Sequence, residues 1–216
     1  MREVFQQELG DVQGRLVELA RLVEVAITRA TEAFGNSDIN LAEQVIEDDV
    51  YIDELAISLD ELSIQILARQ QPVARDLRTV VGALRMSTSL ERMGDLADHI
   101  AQLTRYRFPE KAIAKGLRGT FKKMGEKDIE AIQKLIVLLE TQNLDLIDEI
   151  RDIDDEVDAL HLRVFDKVLG ETWKGDVGDT VDATLASRYH ERFTDHAVSI
   201  AKKVKYLSTG DWAPAE

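Results

Sequence analysis

Cysteine is absent from all 216 residues, which removes disulfides, zinc ribbons and thiol catalysis together and suits a reducing compartment. Proline is scarce, at three residues, so long unbroken helices are permitted and a loop-rich β architecture is disfavoured. Positive charge is also in short supply. Against 41 Asp and Glu stand 27 Lys and Arg, a formal net charge of −14 and a pI of about 4.8, so a general electrostatic grip on nucleic acid starts with the wrong sign. No stretch approaches the roughly 18 apolar residues of a membrane span, and the opening MREVFQQELGDVQ has no signal-peptide core. The expectation is a soluble, cytoplasmic protein that meets a membrane only through a partner.

What is present is helical periodicity. Phe5, Leu9, Val12, Leu16, Leu19, Val23, Ala26, Ala30 and Ala33 recur in steps of four and three, the apolar stripe of one long helix. Gly35-Asn36 reads as its left-handed cap, and Asp38 or Asn40, with Glu43, as the start of the next. A second helix carries Leu41, Val45, Ile52, Leu55, Leu59, Leu62 and Ile66 inward and closes at Gln71-Pro72. Leu77, Val80, Val81, Leu84, Leu90, Ala97, Ile100 and Leu103 mark a third, which stops near Phe108-Pro109. The pattern then restarts. Ile113, Leu117, Phe121, Met124, Ile132, Leu135, Ile136 and Leu139 form a fourth stripe, ending at Gln142-Asn143; Ile147, Ile150, Val157, Leu160, Val164 and Val168 form a fifth, ending at Gly170. The aperiodic stretch 171–178 precedes a sixth, with Val181, Leu185, Ile200, Val204 and Leu207.

Glu91-Arg92-Met93-Gly94-Asp95 in the third helix recurs as Glu191-Arg192-Phe193-Thr194-Asp195 in the sixth, and the acids Asp49 and Asp53 of the second recur as Asp154 and Asp158 of the fifth. Two acidic pairs repeated in the same order indicate duplication of a three-helix unit. The expected fold is all-α: six long helices in two tandem, pseudo-symmetric three-helix bundles, residues 1–109 and 110–216.

Residues four apart share a helical face, so Glu91 with Asp95, and Glu191 with Asp195, can aim two carboxylates at one point. Neither pair has a lysine or arginine four residues on. With Asp49 and Asp53 on the adjacent helix, and Asp154 and Asp158 likewise, four carboxylates per unit repel one another, and a cation is the simplest remedy. Hard-oxygen ligands favour magnesium, calcium or manganese; His99 and His196 nearby extend the choice to iron or zinc. In a chain this acidic, a solvated charged face with no metal is the competing reading. Arg75 and Arg78 pose a similar choice. They either attract an anion such as phosphate or belong to an ordinary helix start, with Pro72 in its first turn and Asp76 at the positive end of the dipole. The remaining histidines, His161 and His190, are expected at helix surfaces or packing edges, and Trp173 and Trp212 in local packing beside loops.

The stretch QPVARDLRTVVGALRMSTSLERMGDLADHIA, from Gln71 to Ala101, resembles the first signature of the PhoU family. SRYHERFTDHAVSIAKKVKYLSTGD, from Ser187 to Asp211, is similar to its closing signature through Arg188, Tyr189, Glu191, Arg192, Asp195, His196, Ile200, Tyr206 and Gly210. The resemblance spans essentially the whole chain. It implies no catalytic residues and no enzyme, but a negative regulator of the phosphate-starvation response and phosphate uptake. Such a regulator is an adaptor between the ATPase subunit of a phosphate ABC transporter and a sensor histidine kinase, and a homodimer. It further implies surface metal sites for iron, zinc, manganese or magnesium. Glu91 and Asp95 carry over to the first site, Glu191 and Asp195 to the second, with Asp49, Asp53, Asp154 and Asp158 as helix-two and helix-five contributors. The second motif departs from the family at His190, Phe193, Thr194 and Lys202, and Thr194 in place of glycine narrows the approach to that site. A ferritin-like di-iron protein is the alternative. It needs Glu-x-x-His on two helices, and the nearest sequence here is Asp158-Ala-Leu-His161.

Overall fold

The computed structural model describes residues 2–210. Its elements are α1 (Arg2–Asn36), α2 (Ile39–Gln70), α3 (Ala74–Arg107), α4 (Arg118–Thr141), α5 (Leu146–Leu169) and α6 (Val177–Thr209). The helices form two tandem three-helix bundles. α1, α2 and α3 pack on one another, as do α4, α5 and α6, and the bundles meet where α1 lies against α4 and α3 against α6. α2 and α5 touch only helices of their own bundle, which makes them the two outermost rods. Among the described residues no helix is long and apolar enough to cross a membrane.

The stripes that define the helices are the core. Leu16, Leu19, Val23, Ile27, Leu59, Leu90, Ile100, Ile132, Ile150, Val164 and Ile200 are buried in one continuous apolar cluster. Leu77, Val81, Val181 and Leu185, expected inward, are instead exposed. They sit near the starts of α3 and α6, where neighbouring rods no longer cover every face.

The helix ends obey the capping rules with some changes of residue. Asp38 accepts hydrogen bonds from the amides of Asn40 and Leu41, at 3.0 and 3.1 Å, which decides between the two candidate caps. The left-handed residue after α1 is Ser37, not Gly35. Pro72 stands outside the first turn of α3, which opens at Ala74, while Asp76 does lie in that turn. α4 opens at Arg118, so Ile113 and Leu117 belong to the connection before it; Leu117 is nonetheless buried, because apolar spacing reports burial and not helix alone. α6 begins with a reciprocal capping box of Asp176 and Asp179, an aspartate pair standing in for the usual Ser or Thr with Glu.

Candidate metal centre

Asp49, Asp53 and Asp95 are brought together: each offers a carboxylate oxygen, and these oxygens lie within 4.8 Å of one another. Two belong to α2 and one to α3. The close approach depends on Gly94, since a Cβ there would stand 3.0 Å from the Ile52 side chain and 3.4 Å from an Asp49 carboxylate oxygen. With no side chain at Gly94, the α2 acids settle against α3.

Electrostatics record the crowding. The Asp49 pKa is pushed up to about 7, first by burial and then by the charges of Asp98, Asp53, Asp95 and Glu91. Asp98, not among the expected ligands, is also raised, mainly by burial. One of its carboxylate oxygens accepts from Gln102, while the other is buried with no hydrogen-bond partner. Its spacing made it findable, because Glu91, Asp95 and Asp98 follow one helical face at i, i+4 and i+7. Glu91 lines a cavity of about 350 Å³ with Asp53, Asp60 and Ser87. Burial raises its pKa, and Arg92 partly offsets this.

In the second repeat the same positions converge less tightly. Asp154 is raised to about 6, chiefly by burial, with Asp158, Asp195 and Asp155 adding to it and the Thr194 hydroxyl opposing. Burial leads for Glu191 and Asp158 as well, followed in each by repulsion from Asp195. One oxygen each of Asp154 and Glu191 is buried and unpartnered. Yet among the described residues no three acids of this repeat bring ligand oxygens within the span seen for Asp49, Asp53 and Asp95. Thr194 is fully buried where the first repeat has glycine, and its hydroxyl donates to the Glu191 carbonyl, 3.1 Å away. Asp98 and Asp60 have Val198 and Phe165 as counterparts, so the second cluster also lacks two acids.

The acid pairs are not free of arginine. Arg92 donates to Asp95 at 2.6 Å, and Arg188 to Glu191. Each arginine lies three residues N-terminal to its acid, not four residues C-terminal. Among the described residues, no histidine nitrogen joins the group of ligand atoms formed by Asp49, Asp53 and Asp95, although the charge of His99 is felt at Asp98. The His99 ring lies against Tyr189, centroids 5.1 Å apart, and burial lowers the pKa of His196. The donors gathered in the first cluster are therefore all hard oxygens, a set suited to magnesium, manganese or calcium.

His190 is the clearest correction. Expected at a surface or packing edge, it is 1% exposed and shares the core with a fully buried Asp128, His190 Nδ1 lying 2.6 Å from Asp128 Oδ2. Burial raises Asp128 to about 6, and His190 acts against the rise. The contact satisfies one polar atom of each side chain, while Asp128 Oδ1 and His190 Nε2 are buried without a hydrogen-bond partner, so a dipole or charge this deep depends on that single contact. His161 does lie at a packing edge, with Nδ1 3.0 Å from Ser187 Oγ. Trp173 packs locally and donates to Thr180 Oγ1 at 2.9 Å; Trp212 lies outside the described residues.

The family model described as the PhoU domain matches residues 16–104 and again residues 121–204, one match in each bundle. This chain belongs to the PhoU family. A relative named phosphate-specific transport system accessory protein PhoU homolog 2, from Mycobacterium tuberculosis, is 38% identical over 97% of this chain and 99% of its own length. PhoU homolog 1 of Mycobacterium leprae is 35% identical over 98% and 96%. The crystal structure of PhoU from Pseudomonas aeruginosa superposes with a TM-score of 0.87 at 29% identity, covering 96% of this PhoU-family chain and all of that one.

Proposed function

We propose that this protein is an accessory regulator of phosphate uptake that holds the phosphate-starvation response off when phosphate is plentiful. Kinship with phosphate-specific transport accessory proteins along nearly the whole chain is the observation that carries this reading. In it the protein is a cytoplasmic adaptor, touching the ATPase subunit of a phosphate ABC transporter with one face and a sensor histidine kinase with another. It forms a homodimer, reaches the membrane only through these partners, binds no nucleic acid and catalyses no reaction. The duplicated units, residues 1–109 and 110–216, present two similar surfaces, which suits a bridging role.

Asp49, Asp53 and Asp95, with Glu91 beside them, would hold a hard divalent cation; Asp154, Asp158, Glu191 and Asp195 would hold a second, more weakly. Bound there, the ion would neutralise the clustered charge and tie α2 to α3, or α5 to α6. The buried, unpartnered carboxylate oxygens of Asp98, Asp154 and Glu191 support this arrangement, since such groups are costly without a counter-charge. The histidine-free donor set speaks against the ferritin-like alternative. Deleting the gene should switch on phosphate-starvation genes in phosphate-rich medium, measured by transcript level. Unchanged transcripts, in a strain with no second copy, would overturn the regulatory reading.

A further inference from the structure

The two seams between α3 and α6 are related by the internal repeat and solve the same charge problem differently. Adding one hundred to a position in α3, or removing it from one in α6, pairs Gly82 with Asp182 and Leu207 with Arg107. At one seam Arg107 reaches across to an ion pair with Asp182, passing over Gly178, where a Cβ would meet its guanidinium at 2.5 Å. A cation from one helix meets a carboxylate from the other, and the seam is closed.

At the other seam the carboxylate is missing. Gly82 stands in its place, and its bare backbone admits Leu207, whose methyl groups would be 2.9 Å from any Cβ there. Around this contact opens a cavity of about 310 Å³ whose lining contains Arg78, Arg85 and Lys203 and no acidic residue. Among the described residues none of the three cations forms an ion pair with a carboxylate, in a chain with 41 Asp and Glu. The Nε of Arg78 is buried without a hydrogen-bond partner. Among the described residues Lys203 donates only to the Ser199 hydroxyl and carbonyl, at 2.7 and 3.3 Å, and burial together with Arg85 lowers its pKa. Three cations held together without an anion repel one another, and an incoming anion relieves that repulsion.

The rest of the lining sets the ligand's body. Leu77 and Val81, 40% and 39% exposed, join Leu207 and Tyr206 as an apolar wall beside the cations. Two guanidiniums and an ammonium suit a doubly charged phosphoryl group, which guanidinium forks bind in paired hydrogen bonds. An apolar wall suits a carbon framework attached to it. We infer that the α3–α6 seam formed by Arg78, Arg85, Lys203, Val81 and Leu207 is a binding site for a small organic phosphate, whose anion takes the place that Asp182 holds at the other seam. Because α3 belongs to one bundle and α6 to the other, the ligand would clamp the two bundles together. This assignment is independent of the carboxylate clusters.

Phenyl phosphate is the minimal probe, compared by calorimetry on the full chain with inorganic phosphate and with phenol. Phenyl phosphate should bind, inorganic phosphate should bind about tenfold more weakly, and phenol should not bind. Arg85→Ala combined with Lys203→Ala should weaken phenyl phosphate by at least about tenfold. Val81→Glu, a change at an exposed wall position that supplies an internal carboxylate, should abolish binding while circular dichroism and urea unfolding confirm the fold. Absence of phenyl phosphate binding at millimolar concentration would overturn the inference, as would affinity unaltered in both variants. Equal affinity for inorganic phosphate would overturn the assignment of an organic ligand.

Discussion

Removing one charge from the carboxylate cluster should stabilise the metal-free protein. Asp49 keeps its proton to about pH 7 in the folded state, whereas in the unfolded chain it loses it near 4. Between these values the unfolded state binds fewer protons, so stability falls as pH rises and stays reduced above 7. Unscreened, a displacement of that size corresponds to about 4 kcal/mol; with Asp49 only half buried, solvent screening brings it to about 1–2 kcal/mol. Asp49→Asn removes the ionisation along with its repulsion of Asp53, Asp95 and Asp98. In urea unfolding with a chelator present, the variant should exceed the parent by about 1–2 kcal/mol at pH 8, with the gap closing toward pH 4. Adding manganese should invert the order. At one hundred times its dissociation constant an ion stabilises the parent by about 2.7 kcal/mol, and the variant, lacking a ligand, should gain clearly less. A variant less stable than the parent at pH 8 without metal would refute the reasoning.

Asp128→Ala should cost about 3–5 kcal/mol in urea unfolding, because His190 is left buried without its partner. Adding His190→Leu to that variant should recover part of the loss, a non-additivity that a double-mutant cycle reads directly. Gly94→Ala places a methyl against Ile52 and should cost about 1–3 kcal/mol, and by pushing α2 outward it should weaken manganese binding, measured by titration. Phe193→Ala empties a fully buried site in α6 and should cost about 3–5 kcal/mol.

The helices were legible because burial in this fold follows spacing. Stripes such as Leu16, Leu19, Val23 and Ile27 sit inside for almost their whole length, and the repeated acid pairs disclosed the duplication. Structure departs from the sequence pattern where spacing carries less information. The stripe over Ile113 and Leu117 is a connection in which Leu117 is buried and Ile113 half-buried, and Leu77, Val81, Val181 and Leu185 keep the helical period on faces that stay exposed. The pairing of Asp49 and Asp53 with Asp95 followed from adjacency of the helices. The looser second cluster turned on what fills the space, Thr194 against Gly94 and Val198 against Asp98, and those differences are visible in sequence only after the two repeats are aligned. The Asp128–His190 pair was hidden because its members lie 62 residues apart, and neither position alone marks a buried polar contact.

Metal content of the purified protein is the most direct test that acids from neighbouring helices form a cation site. Protein prepared without chelator and dialysed against manganese should retain about one tightly held ion at the first cluster, and Asp49→Ala with Asp95→Ala should lose it while remaining folded. Equal retention by parent and variant would contradict the account.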